Sequence, residues 1–402
     1  MNVRVSGLRD LLELADSGTW GDDGDPKTGS PVLRSSNIQG GQLDLTDFAW
    51  RVIPENDLER CRLAPGDIIV TKSSGSANLI GKCCIFDTED SNGPYYFSNF
   101  TLRLRVRDGV ADHRWIYYWL ISERGRAALA SLNNTTSGLR NLSVPRYLEQ
   151  KLPTPPLEDQ RRFAAILNKA DAIRRKRQEA IALTEQLLRS TFLEMFGDPV
   201  ANLKGWPTVT LASLILEGPT NGLYRPASDY GEGVPIVRID SFHGGQITDL
   251  ASLKRVNISQ DIIDKFRLSP GQILVNRVNS PEHLGKAALV PSLSEPTVFE
   301  SNMMRLTVNP ERVCPEFLID QLASHYIKTQ IERCRKDASN QSSINQDDVG
   351  GFEIRLPPIT TQHRYRDVRS AMHSHRARLQ GSRVHADNLF NSLVQRAFTG
   401  QL

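Results

Sequence analysis

Residues 155–199 read PPLEDQRRFAAILNKADAIRRKRQEAIALTEQLLRSTFLEMFGDP. Between the double proline and Gly197 neither Gly nor Pro interrupts the chain for about 40 residues, which predicts one long helix. Along it Phe163, Ile166, Ala170, Ile173, Arg177, Ala180, Thr184 and Leu187 recur in steps of three and four, the seam of a coiled coil. At 1.5 Å per residue such a helix runs about 60 Å, the length of roughly 18 base pairs of duplex.

The stretch is written twice. PPLEDQ, ending at Gln160, returns as PPITTQ, ending at Gln362, an offset of 202 residues. The seam returns at the same offset as Tyr365, Val368, Met372, His375, Leu379, Ser382, Ala386 and Leu389. Arg177, Thr184, His375 and Ser382 interrupt it with polar groups that cost stability but fix register and partner. The duplicated register favours intramolecular pairing of the two helices.

Working outward, RLAPGDIIV (62–70) returns as RLSPGQILV (267–275), and PVLR (31–34) as PIVR (235–238). Gly81-Lys82 is echoed by Gly285-Lys286 and Ser98-Asn99 by Ser301-Asn302, with offsets drifting only between 202 and 205. A period this long is a duplicated domain pair rather than a solenoid, whose units run to about 20–50 residues. Each half opens with short β-type runs (DIIV, QILV, TLRLRV, MMRLTV) broken by Gly, Pro, Asn and Ser, with brief helical patches at 115–122 and 317–324. The expected organisation is a globular domain at 1–156, a helix and exit at 157–200, a second globular domain at 201–358 and a second helix at 359–402.

The chain's 402 residues exceed one ordinary core, and with 39% hydrophobic and 24% charged residues it can bury real ones. The net charge of +3 is a small remainder of 49 basic and 46 acidic side chains, so attraction to nucleic acid must come from local clustering. The longest apolar runs fall far short of the roughly 20 residues of a membrane helix, and the amino terminus does not resemble a secretory signal. Cys61, Cys83, Cys84, Cys314 and Cys334 are odd in number and form no C-x-x-C pair, which points to reduced structural thiols in a cytoplasmic protein. Leu183, Leu188, Phe192, Met195 and Phe196, with Phe390, Leu393, Val394 and Phe398, carry apolar surface beyond a two-helix seam; either a second protein or the chain's own globular parts must cover it.

The two helical stretches, with the exits LLRSTFLEMFGDP and DNLFNSLVQRAFTGQL, resemble the conserved regions of the specificity subunits of Type I restriction-modification systems. The resemblance implies an α+β fold: two mixed α/β target-recognition domains separated by two long antiparallel coiled-coil helices, with a pseudo-twofold internal duplication. It implies that each domain reads one half of a split site in double-stranded DNA while the helices set the spacer. It also implies docking of methyltransferase subunits, two of them, and of restriction subunits. S-adenosylmethionine, ATP and magnesium would then belong to those partners, with no cofactor or metal in this chain.

Reading DNA requires Arg or Lys aimed at guanine, Asn or Gln at adenine, and further basic groups on phosphates. The strand DIIV runs into Lys72, Ser73 and Ser74, and the strand QILV into Asn276, Arg277 and Asn279. Lys82 matches Lys286 and Arg34 matches Arg238, while a later pair of polar stretches, 133–141 and 339–345, contains Asn134, Arg140, Asn340 and Gln341. Where the halves agree, phosphate contact or structure is the reading; where they differ, as at Arg140 against Ser342, base reading is.

The chain shows no sign of its own chemistry. Residues 75–83, GSANLIGKC, have five residues between the glycines where a P-loop has four, and Cys where it has Ser or Thr. His373 and His375 are two apart on a predicted helix and share no face. There is no nucleophile elbow and no methyl-donor motif. The competing readings are a paired-helix scaffold that binds only protein and, more remotely, an unrecognised nucleic-acid enzyme.

Overall fold

The computed structural model describes residues 4–87, 94–130, 133–136, 139–338 and 341–402. The chain divides into two compact units, Met1–Glu179 with Gln380–Leu402, and Ala180–Leu379. The helices that organise them are α1 (His113–Ile121), α2 (Leu157–Phe196), α3 (Pro315–Leu322) and α4 (Ile359–Thr399). Both long helices therefore contribute one stretch to each unit.

The first unit contains, in chain order, β1 (Leu12–Ser17), β2 (Asp67–Thr71), β3 (Ser73–Ser74), β4 (Cys83–Phe86), β5 (Thr101–Val106), β6 (Asn133–Thr136) and β7 (Leu139–Leu142). Its main sheet runs β4-β2-β5-β1, antiparallel throughout. The β-branched run of β2 is wholly buried at the middle of the sheet, where such side chains pack best. Asp112 starts α1 by accepting from the backbone N–H groups of Arg114 and Trp115. The helix then buries six consecutive residues from Trp115 to Leu120. Trp115 is fully buried, donates its indole N–H to the Pro153 carbonyl at 3.0 Å, and packs its ring 5.9 Å from Phe163 of α2 and 4.2 Å from Phe398 of α4. Asp171 of α2, also buried, accepts from Arg174 at 2.5 Å and Arg175 at 2.6 Å, and Tyr118 donates to Asn168 Oδ1 at 2.6 Å.

The second unit contains β8 (Ile215–Asn221), β9 (Ile273–Asn276), β10 (Val278–Asn279), β11 (Ala287–Leu289), β12 (Met303–Val308), β13 (Lys336–Asp337) and β14 (Ser342–Ser343). Its main sheet runs β8-β12-β9-β11 and is extended by the short strands Gln246–Ile247 and Phe242–His243. Helix α3 inserts Phe317 against Phe192 and Phe196 of α2, ring centroids 5.9 and 4.7 Å away, and Tyr365 of α4 closes the cluster at 5.5 and 5.2 Å from the same two rings. Asp320 on α3 accepts from the Tyr365 hydroxyl at 2.5 Å and from Arg369 at 2.7 and 3.2 Å.

The repeated PP-x-x-x-Q stretch has a structural purpose in both places. Gln160 is buried, accepts from the N–H of Asp112 at 3.0 Å and donates to the Pro155 carbonyl at 2.8 Å. Gln362 is buried, accepts from the N–H of Cys314 at 2.8 Å and donates to the Pro357 carbonyl at 2.7 Å. Asp112 and Cys314 are the N-caps of α1 and α3, so each glutamine fastens the start of a long helix to the start of a short one.

The seam drawn from the sequence needs correction at five positions. Phe163, Ala170, Tyr365 and Leu379 are buried and Met372 is half-buried. Ile166 and Val368 are 36% and 37% exposed, and Ile173, Leu187 and Leu389 are 51%, 55% and 54% exposed. The buried residues of α2 and α4 instead include Leu167, Asp171, Ile181 and Phe192, and Arg369, Phe390, Val394 and Phe398. A strict 3.5-residue line tracks a supercoiled partner, whereas these segments turn their inner side toward α1 and α3, and a 3.6-residue helix drifts away from that line.

Candidate nucleic-acid interface

Strand β2 ends at Thr71 and the chain passes through Lys72 into β3. There Ser73 pairs with Asn141 and Ser74 with Arg140 on β7, and β7 pairs with β6, setting Asn134 opposite Asn141 and Thr135 opposite Arg140. The two polar stretches singled out in this half thus form one small three-stranded sheet. Lys72 is its hinge: its N–H donates to the Phe100 carbonyl at 2.9 Å and its carbonyl accepts from Leu142 N–H at 2.8 Å.

The second unit makes the same bonds with different residues. Strand β9 passes through Arg277 into β10, where Val278 pairs with Ser343 and Asn279 with Ser342 on β14, and β14 pairs with β13. Arg277 N–H donates to the Asn302 carbonyl at 2.8 Å and its carbonyl accepts from Ile344 N–H at 2.9 Å. Each small sheet is written mostly in hydroxyl, amide and charged residues with few apolar ones, so it is polar material carried on a rigid strand end. Arg140 and Gln341 are exposed there.

Two of the candidate side chains are withdrawn from any ligand. Ser73 is buried and donates to Asn141 Oδ1 at 2.6 Å, and Asn276 is completely buried at the end of β9. Both lie at buried positions of strands, where the sequence suggested loop. Lys72 is half-buried, with its ammonium donating to Ser17 Oγ at 2.8 Å, and burial lowers its pKa. Burial likewise lowers that of Lys286, opposed by Asp240, and the Lys286 ammonium lies 5.1 Å over the Phe242 ring. Arg34 is paired with Asp47 at 2.7 Å and Arg238 with Glu300 at 3.3 Å. Arg277 donates to the Ser301 carbonyl at 3.2 Å, Asn279 Oδ1 accepts from Ser280 N–H at 2.8 Å, and Ser74 Oγ accepts from Ser76 N–H at 3.2 Å. Lys82 is half-buried and Asn340 lies outside the described residues. Most matched basic groups therefore hold the scaffold, and among the candidates whose side chains are described Arg140 and Gln341 are the exposed ones.

The sequence pattern does not single out Tyr224, Arg225 and Lys254, which line a cavity of about 440 Å³ in the second unit together with Arg238, Glu300 and Asn302. An aromatic beside an arginine in the segment LYRP was the available signal.

Among the described residues, no group of three or more His, Cys, Asp or Glu is placed to hold a metal, and no helix is long and apolar enough to cross a membrane. All five cysteines are unpaired, four of them buried.

Residues 2–183 match the family model described as the Type I restriction modification DNA specificity domain. The specificity subunit of the type I restriction enzyme EcoKI of Escherichia coli (strain K12) is 23% identical, covering 92% of this chain and 82% of its own. That of StySPI of Salmonella potsdam is 22% identical over the same shares. This chain is similar to Type I specificity subunits over most of its length. The match of 2–183 takes in all of β1 to β7 together with α1 and most of α2, so the first small polar sheet lies wholly inside the family's DNA specificity domain. The fold agrees: the crystal structure of a Type I system S subunit from M. genitalium matches with a TM-score of 0.61 at 14% identity, covering 99% of this chain and 96% of that one.

Proposed function

We propose that this chain is the DNA sequence-recognition, non-catalytic subunit of a Type I restriction-modification complex, each half reading one half of a bipartite site. The observation that carries it is the small polar sheet that leaves the same strand end in both units, hinged on Lys72 in one and Arg277 in the other. Equal scaffolds with unequal outward side chains are what two half-sites of different sequence require.

In this reading the chain is an internal duplication, with recognition domains at 1–156 and 201–358 and the helices α2 and α4 running antiparallel to set the unread spacer. The contacts support opposite directions. Phe163 and Phe398 share Trp115, Arg174 lies 4.6 Å over the Phe390 ring, and Arg376 meets Glu185 at 3.4 Å while Tyr365 meets Phe192. The exposed leucines on α2, Leu183, Leu187 and Leu193, offer apolar surface to the methyltransferase subunits. Methyl donor, ATP and magnesium belong to partner chains.

The test is co-expression with the cognate methyltransferase in a host free of other modification, followed by genome-wide mapping of methylated bases. A split motif with two defined halves around an unspecified gap is expected. Co-purification of the two proteins without methylation would instead make the chain a paired-helix scaffold.

A further inference from the structure

The cavity of the second unit is built on a fixed floor. Leu223 N–H donates to the Phe299 carbonyl at 2.9 Å and Ser301 N–H to the Leu223 carbonyl at 2.9 Å, which locks the start of the segment carrying Tyr224 and Arg225 to the turn before β12. The same turn supplies Asn302, whose carbonyl holds the N–H of Arg277, so the cavity is continuous with the hinge of the small polar sheet. Three cations, Arg225, Arg238 and Lys254, face a single lining carboxylate, Glu300. That carboxylate is already used: it accepts from Ile239 N–H at 2.7 Å and from Arg238 at 3.3 Å. Arg225 has only a long ion pair to Asp229 at 3.7 Å, and Lys254 has no side-chain partner among the described residues. The cavity is left with surplus positive charge. Tyr224 stands at its mouth, 78% exposed, and a large aromatic ring so placed has an unused flat face.

The first unit closes the corresponding place. Thr19 makes the bonds of Leu223: its N–H donates to the Phe97 carbonyl at 3.0 Å and it forms a parallel bridge to Ser98, as Leu223 does to Glu300. The next residue is Trp20, and its ring is covered by Arg51 at 4.1 Å, which is itself paired with Asp23. Aromatic and cation are present there but spent on one another.

We propose that the Tyr224 cavity is a DNA-strand contact present in the second recognition domain alone, taking a backbone phosphate on Arg225 and Lys254 and stacking Tyr224 on the adjacent sugar or base. The inference rests on the reading of the chain as a DNA-recognition subunit. A phosphodiester fits because cations with spare donors neutralise it directly, and an aromatic face accepts any neighbouring nucleoside.

The experiment uses the chain co-purified with its methyltransferase and a duplex carrying the split motif mapped for the wild type, titrated by fluorescence anisotropy across a salt series. Tyr224→Ala is expected to weaken binding at least roughly fivefold and Tyr224→Phe to leave it unchanged, because the ring and not the hydroxyl is used. Arg225→Ala with Lys254→Ala is expected to flatten the slope of log affinity against log salt by about 1, because the one phosphate they share is no longer neutralised. Substituting Trp20 by Ala is expected to leave the salt slope as it was. Variants that fold and bind with wild-type affinity and slope overturn the cavity while leaving the DNA reading intact. Variants that keep DNA affinity but no longer retain the methyltransferase overturn it in favour of a protein contact. A wild-type complex that methylates no split motif overturns the reading of the chain and this site with it.

Discussion

Removing Asp320 tests the idea that one carboxylate pins α4 to α3. The Arg369 side chain is 4% exposed and Asp320 20%, and Asp320 is the acceptor for both Arg369 and the Tyr365 hydroxyl. In Asp320→Ala the guanidinium stays buried without its counter-charge and the phenol loses its acceptor. Breaking a buried pair from one side costs about 3–5 kcal/mol. The partial exposure of Asp320 lets water reach the vacated space, which places this case near 3 kcal/mol. With a urea slope of about 2 kcal/mol per molar, the midpoint of the second unit's transition falls by about 1.5 M. Arg369→Met should cost less, because Asp320 keeps the Tyr365 hydroxyl and its own access to solvent. The double variant should be no less stable than Asp320→Ala alone, since it strands no charge. Urea titrations of the wild type, the two single variants and the double variant close the cycle. A loss below about 1 kcal/mol for Asp320→Ala, or a double variant equal to the sum of the singles, refutes the reasoning.

Trp115→Ala should destabilise the first unit by about 3–5 kcal/mol, since it removes a fully buried ring packed on Phe163 and Phe398; thermal melting of the variant checks this. Gln362→Ala leaves the buried Cys314 N–H without an acceptor and should cost about 1–3 kcal/mol, measurable as a urea midpoint shift that Gln362→Glu partly restores. The His373 imidazole is pushed down to about 4, first by burial and then by the neighbouring Arg369 and Arg376 charges. The unfolded chain takes up that proton near its ordinary value of about 6.5, so this group makes stability fall as pH drops from there toward 4; His373→Leu should flatten the dependence of melting temperature on pH across that window. Arg140→Ala, on the exposed part of the first small sheet, should relax one half of the methylated motif, worth about 1–3 kcal/mol of discrimination, and leave the other half unchanged in a methylation map.

The long helices were legible because α2 is a run free of Gly and Pro, α4 is interrupted by Gly381 alone, and the recurrence of PP-x-x-x-Q marked their starts. Which side of each helix is buried was not legible. Ile173 and Leu187 satisfy a heptad as well as Phe163 does, and only the position of Trp115 and Phe317 decides which of them is covered. The candidate interface was legible as two stretches per half and misleading at single residues. Ser73 and Asn276 are polar letters at buried positions of a strand, and a polar side chain there is indistinguishable in sequence from one in a loop. Tyr224 escaped notice because one exposed tyrosine carries no pattern; its meaning depends on Lys254 and Asn302, 30 and 78 residues away.

The first unit is assembled from both extremes of the chain, Met1–Glu179 and Gln380–Leu402, whereas the second is one continuous stretch. A ribosome emitting this protein delivers Trp115, Tyr118 and Leu167 early, and the residues that cover them, Phe390, Val394 and Phe398, last. The second unit can close as soon as Leu379 has emerged, while the first keeps an aromatic face waiting for about 20 residues more. The order of completion thus reverses the order of synthesis. A premature stop shortly after Leu379 would yield a chain whose later half is finished and whose earlier half is not, with its aromatic face open to chaperones and to aggregation.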